Sequence, residues 1–485
     1  MKNFNSHPQT KQFSYLGSTA HYPKVLSFTI DYMWLTIRPD FGSKTLKDCV
    51  QKLRITARKQ LNEIQLDMAE LDIYQITSSC ADIPVAYFDV LQKNDKLIIK
   101  LGRTFYKNNT IDLEIRYSAG YYSKDGVRKI REPRSGFTFV TRTHSTSSKQ
   151  AWTQGETLEA KYWFPCLEDP QVKFPREIKV LVSENDLIVL SNGELAQKDG
   201  NTWTWTEPNP TPSYLTSVVI GKFAQEHQDY TREYNHNGIK QNRSSGVPLS
   251  YYWPSEIPKK DAMLTFINTP KIMKFFEGYF GLEYPYKRYS QVAVEEFELG
   301  GMENTSCTTL TKYILHNDIA AIDYTRDIDV ISHELAHQWF GDLITCRDWA
   351  DIWLNEGFAT YCEALYWESV RGFDEFCYKV IQIADEYLEE TRTSYERPIV
   401  TRIYKHPDDL FDAHSYEKGS CILHMLRSDI GDNDFRKMLY AYLDIYKNQS
   451  VETANFLNIV EDISGKSLHR FFDQWFTGQV IQGSI

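Results

Sequence analysis

Three residues in the stretch ISHELAHQWFGD, His333, Glu334 and His337, are spaced for metal chemistry. On an α-helix, side chains four apart share a face, so two imidazoles can hold one ion. Glu334, about 100° round the helix from His333, can then reach water bound to it. A bare HExxH also arises by chance on solvated helices, so its surroundings decide. A catalytic zinc usually takes three protein ligands and keeps a fourth position for water. DIWLNEGFATY supplies Glu356, nineteen positions after His337, at the start of a second predicted helix. His, His and Glu make a mixed nitrogen and oxygen set suited to Zn2+. An acid at a helix start can instead merely offset the helix dipole, but the two motifs together favour a ligand. Upstream lie Gly300, Gly301, Met302, Glu303 and Asn304, just after a predicted strand over residues 291–297. Two glycines let a peptide backbone come close, and an acid beyond them can meet a cationic group on that peptide; alone, the same residues read equally well as a turn.

GGMEN, HELAHQWFGD and WLNEGFA, in this order and at these separations, resemble the M1 family of zinc aminopeptidases, gluzincins of the aminopeptidase N type. The likeness runs from about residue 20 to the end and is strongest over residues 291–366. It implies that His333, His337 and Glu356 bind one Zn2+ per chain and that Glu334 is the general base. AWTQGE (151–156) and YWFPCLEDP (162–170) are similar to the family's N-terminal domain, and SYEKG (415–419) is similar to the segment whose tyrosine faces the metal. By this resemblance Glu156 joins Glu303 in holding the α-ammonium of a substrate, Gly300, Gly301 and Met302 lie along the bound peptide, and Tyr416 is the transition-state donor. The implied function is removal of the N-terminal residue from peptides. Gly301 stands where many members carry alanine. Glycine also occurs in the branch that doubles as a leukotriene epoxide hydrolase, so a bifunctional epoxide hydrolase and aminopeptidase is one alternative; Glu156 argues against it, because that branch usually carries an amide there. Members normally continue into a large C-terminal helical domain, whereas this chain stops at FFDQWFTGQVIQGSI. The second alternative is therefore a catalytically weak or silent scaffold on the same fold, lacking that domain.

These residues need elements to position them. Short runs rich in β-branched and aromatic residues predict strands over residues 25–37, 96–101, 110–117, 136–142, 177–183, 187–191, 213–223 and 247–253. Helical spacing then predicts a helix over 261–280 broken at Pro270, and helices over 327–340, 354–367, 374–388, 416–430, 434–446 and 468–476. The expected fold is α+β and multidomain: an N-terminal antiparallel β domain (1–254) followed by a mainly helical catalytic domain (255–485), thermolysin-like by the resemblance. Glu363, seven after Glu356 and so on the same helical face, is a candidate to orient a metal-bound imidazole, as are Asp327 and Asp351. Trp339, Phe340 and Trp353 read as packing between the metal-bearing helices.

Composition narrows the rest. The 485 residues carry a formal charge of −11, which disfavours nucleic acid as a partner. The N-terminus lacks the apolar core of a signal peptide and no run of about 18 apolar residues follows, so a cytoplasmic enzyme without a membrane partner is expected. Eight scattered cysteines without a CxxC pair read as reduced, mostly buried thiols. The expected partners are peptides with a free N-terminal amine.

Overall fold

Alternation of apolar and polar residues builds the first half of the chain. In a computed structural model that describes residues 11–13, 16–79, 84–91, 94–120, 136–140, 149–236, 239–242, 246–323 and 325–476, Phe28–Ile37 turns Met33, Leu35 and Ile37 to the interior. A register shift between Ile30 and Tyr32 lets Ile30 point inward as well. This strand lies inside a sheet whose order is Glu194–Asp199, Thr202–Thr211, Phe174–Leu181, Phe28–Ile37, Thr45–Ala57, Thr110–Ala119, Leu71–Ser78. Its pairs are antiparallel except for Phe174–Leu181 against Phe28–Ile37. Leu61–Asp67, Lys96–Phe105 and Val85–Leu91 form a three-stranded sheet, and Gly136–Phe139, Gln150–Gln154, Val218–Gly221 and Ile188–Ser191 a four-stranded one.

A further five-stranded sheet joins Phe223–Tyr230 and Val247–Pro254 to Tyr289–Val294, Cys307–Thr311 and Gly301–Met302. Tyr289–Val294 pairs in parallel on both sides and is buried at every position, the signature of a strand covered on both faces. All these sheets belong to one compact unit, residues 24–270 with 286–327.

The second unit, residues 1–23, 271–285 and 328–485, is mainly helical. The helix predicted over 261–280 is two, α1 (Lys259–Phe266), which belongs to the sheet-rich unit, and α2 (Thr269–Phe280). Pro270 falls in the first turn of α2, where its missing N–H costs nothing. The other helices are α3 (Arg326–His337), α4 (Trp353–Arg371), α5 (Phe373–Thr393), α6 (Gly419–Ile430), α7 (Asp432–Tyr446), α8 (Thr453–Ser464) and α9 (His469–Phe476). Trp353 to Cys362 are all buried, so the first half of α4 is enclosed on every side. The chain is thus α+β, with antiparallel sheets dominating its N-terminal part and helices its C-terminal part.

The expected helix over 416–430 begins differently: His414–Lys418 forms one turn of π-helix and α6 starts at Gly419. The expected strand over 213–223 is a 3-10 turn (Ser213–Leu215), a short strand (Val218–Gly221) and the start of the next one at Phe223. Of the strand expected over 136–142, residues 141 and 142 lie outside the described residues, as does Cys80. The seven described cysteines are free thiols, and six of them are buried. Among the described residues no helix is long and apolar enough to cross a membrane.

Candidate metal and catalytic site

Helix α3 ends at His337, so its last turn and a half carries His333, Glu334 and His337. His333 Nδ1 donates to Glu363 Oε1 at 2.8 Å, and His337 Nδ1 donates to the Phe340 carbonyl at 2.9 Å. With each Nδ1 holding the ring proton, both Nε2 atoms present a lone pair. They lie 3.0 Å apart, and Glu356 Oε2 sits 3.3 Å from one and 3.2 Å from the other. Three Lewis bases facing one point at these separations repel unless a cation lies among them. Zinc with bonds of about 2.0 to 2.1 Å places tetrahedral ligand atoms about 3.3 Å apart. The donor set and its spacing therefore fit Zn2+.

Electrostatics make the triangle a place for positive charge. Burial opposes charge on His333, but hydrogen bonds to Glu356 and Glu363 outweigh it and hold its pKa well above the ordinary value, so a metal binding through Nε2 would displace a proton there. Burial likewise pushes Glu356 up, yet the imidazoles of His337 and His333 prevail and hold it low. The carboxylate is thus kept ionised, the form a metal requires. Glu363 is raised, burial exceeding the help from His333.

Glu334 is buried on the same helix. The Tyr416 ring lies parallel to that of His333, 11° between planes and 6.0 Å between centroids. What brings Tyr416 there is a close approach of backbones. A Cβ on Gly357, the residue after Glu356, would stand 2.9 Å from Gly419 Cα and 3.2 Å from the Ser415 carbonyl oxygen. A Cβ on Gly419 would meet Gly357 Cα at 2.9 Å. The glycine of WLNEGFA and the glycine of SYEKG therefore touch, and α4 and the π-turn can come this close only because neither has a side chain. This pairing was not visible in the sequence, where each glycine stood in its own motif.

The remaining candidates lie in the sheet-rich unit. Gly301–Met302 pairs with Thr309 and Leu310, and Gly300 accepts at its carbonyl from Thr311 N. Met302 and Glu303 are buried, and Gln154 Nε2 reaches Met302 Sδ at 3.1 Å. Trp152 donates to the Glu295 carbonyl, tying strand Gln150–Gln154 to the loop that leads into Gly300. As a result an oxygen of Glu156 lies within 4.8 Å of one of Glu303, although the two residues are far apart in sequence. Two carboxylates this close favour a cation beside them. Of the other positions singled out, Asp327 bonds His316 and Asp351 accepts from Thr453, whereas Glu363 bonds the imidazole of His333. Trp339 packs on Phe280 and Tyr284, Phe340 stacks on Phe358, and Trp353 meets Phe456.

Residues 19–215 match the peptidase M1 N-terminal domain, and residues 265–475 match the peptidase family M1 domain. A probable aminopeptidase 2 of Sulfurisphaera tokodaii is 28% identical over 86% of this chain and 50% of its own length. Aminopeptidase 2, mitochondrial, of Saccharomyces cerevisiae is 27% identical over 91% of this chain and 45% of its own. Aminopeptidase N of Streptomyces lividans is 30% identical over 67% and 37%. The chain spans half the length of these relatives or less. With both of its domain models matched in order along the chain, this protein belongs to peptidase family M1.

Proposed function

We propose that this chain is a zinc aminopeptidase that hydrolyses the first peptide bond of substrates with a free N-terminal amine, acting in the cytoplasm without nucleic-acid or membrane partners. One observation carries the reading: the Nε2 atoms of His333 and His337 and Oε2 of Glu356 converge at 3.0 to 3.3 Å while both imidazoles are anchored through Nδ1. Zinc held by these three residues supplies Lewis acidity toward the scissile carbonyl and a lowered pKa for the attacking water. Glu334 takes the proton of that water and returns it to the leaving amine. The Tyr416 hydroxyl donates to the carbonyl oxygen as negative charge grows there; one such donor is typically worth about 3 to 4 kcal/mol. Glu156 and Glu303 accept from the α-ammonium, and charge-assisted bonds of that kind are the stronger class. An internal amide offers them no charge, which favours an exopeptidase. Gly300, Gly301 and Met302 lie along the peptide.

The deciding experiment pairs metal analysis with turnover of aminoacyl-coumarin reporters, free and N-acetylated, for the parent chain and Glu334→Gln. One zinc per chain in both proteins is expected, with turnover of free-amine reporters only and a loss of at least about 100-fold in Glu334→Gln. Equal turnover of N-acetylated reporters, or a Glu334→Gln variant as active as its parent, would refute it.

A further inference from the structure

We infer that Arg397 is a positioning residue for Tyr416, holding the π-turn that aims the tyrosine at the reacting carbonyl; this rests on the role proposed above for Tyr416. The turn His414–Lys418 is an irregular piece of backbone, and π-helical turns persist only where their surroundings hold them. Arg397 grips this one at both ends. Its guanidinium, 1% exposed, donates through Nε to Asp412 Oδ2 at 2.8 Å and through Nη2 to Asp412 Oδ1 at 2.5 Å. Nη2 also donates to Ser415 Oγ at 2.9 Å and to the Leu410 carbonyl at 3.1 Å. Asp412 in turn accepts from the backbone N–H groups of His414 and Ser415, which open the turn. Arg397 N–H donates to His414 Nε2 at 3.2 Å, and Lys418 Nζ donates to the Arg397 carbonyl at 2.9 Å. Residues on both sides of Tyr416 are thus bonded to one residue.

Glu390, Asp412 and His414 also have ligand atoms within 4.8 Å of one another, which invites reading them as a second metal site. The bonding excludes it. His414 Nε2 accepts from Arg397, its Nδ1 donates to Glu390 Oε2 at 3.0 Å, and Asp412 is held by the guanidinium fork. The cation of this cluster is Arg397 itself. Lysine at position 397 keeps the charge but cannot bond Asp412 through two nitrogens and reach Ser415 and Leu410 as well.

The test uses the whole chain and a double-mutant cycle. Arg397→Lys should lower kcat about 10- to 100-fold with KM within about threefold, the signature of a lost transition-state contact. In a Tyr416→Phe background the same substitution should cost less than about threefold, because the group it positions is gone. Ser415→Ala, a milder change that removes one Arg397 contact, should show the same non-additivity and decides the matter if Arg397→Lys does not fold. Hydrogen exchange over residues 412–420 should quicken in both variants while α4 stays protected, a readout independent of turnover. Losses that add fully to a severe Tyr416→Phe defect, or unchanged exchange in both variants, would overturn the inference. A Tyr416→Phe chain with parental kcat would instead remove the role proposed for the tyrosine.

Discussion

Replacing Gly357 by alanine isolates what the backbone contact between α4 and the π-turn contributes. The new Cβ would stand 2.9 Å from Gly419 Cα, 3.0 Å from Gly419 C and 3.2 Å from the Ser415 carbonyl oxygen. Non-bonded carbons settle at about 3.5 to 4.0 Å, so the turn must retreat by roughly 0.6 to 1 Å. Overpacking of this kind costs about 1 to 3 kcal/mol. Alanine in a helix interior returns about 1 kcal/mol over glycine. The net loss, about 0 to 2 kcal/mol, should leave the chain folded. Function should suffer more. Tyr416 lies on the segment that must move, and a misplacement near 1 Å at a catalytic group can cost about 100-fold. Gly357→Ala is therefore expected to lower kcat about 10- to 100-fold, with KM and zinc content near parental values, because Glu356 stays on its own helix. Steady-state kinetics on an aminoacyl-coumarin, metal analysis and a melting curve on one preparation read all three. A folded, zinc-loaded variant with kcat within threefold of the parent would show that α4 and the turn do not set the position of Tyr416.

Glu363→Gln should keep the fold and weaken zinc binding about 10- to 100-fold in chelator competition, since the amide is a poorer acceptor for His333 Nδ1; unchanged affinity would deny Glu363 that role. Glu168, deep in the sheet-rich unit, is pushed up to about 8, chiefly by burial and against the help of the Lys161 N–H. The unfolded carboxyl loses its proton near 4.5, so the native state binds more protons between that pH and about 8, and stability falls as pH rises through this window. Glu168→Gln should accordingly gain on the parent by about 3 to 4 kcal/mol between pH 5 and 8, seen as a widening difference in melting midpoints; a difference that stays constant with pH would contradict the assignment.

The two imidazoles of the proposed metal triangle were legible because helix geometry puts them on one face, whereas Glu356, on another helix, was legible only through its motif. A spacing of four from His333 to His337 puts two imidazoles on one face, and a spacing of seven from Glu356 to Glu363 aligns a proposed ligand with the partner of another. Strands were legible where alternation was clean, as in Phe28–Ile37. Thr45–Ala57 escaped notice because Lys47, Asp48, Lys52 and Arg54 break its apolar pattern, although on an outward face such residues are admissible in a strand. The five-stranded sheet shows another limit: its strands come from both sides of residue 254, and the parallel pairs that join them leave no local mark.

Tyr416 was legible only as part of a motif, and the reason is physical. Helical spacing after residue 416 is real, but it describes α6, whose first residue is Gly419. The turn ahead of it owes its shape to Arg397, to Glu390 on α5 and to Gly357 on α4, none of which is a sequence neighbour. A glycine in a helix interior ordinarily costs about 1 kcal/mol against alanine, so Gly357 would look like a flaw in α4 if judged locally. Set against Gly419, it is what admits the tyrosine to the ring of His333. The residues proposed to hold the metal are thus encoded by spacing on α3 and a motif on α4, whereas the group proposed to stabilise the transition state is encoded by two glycines 62 positions apart and an arginine between them.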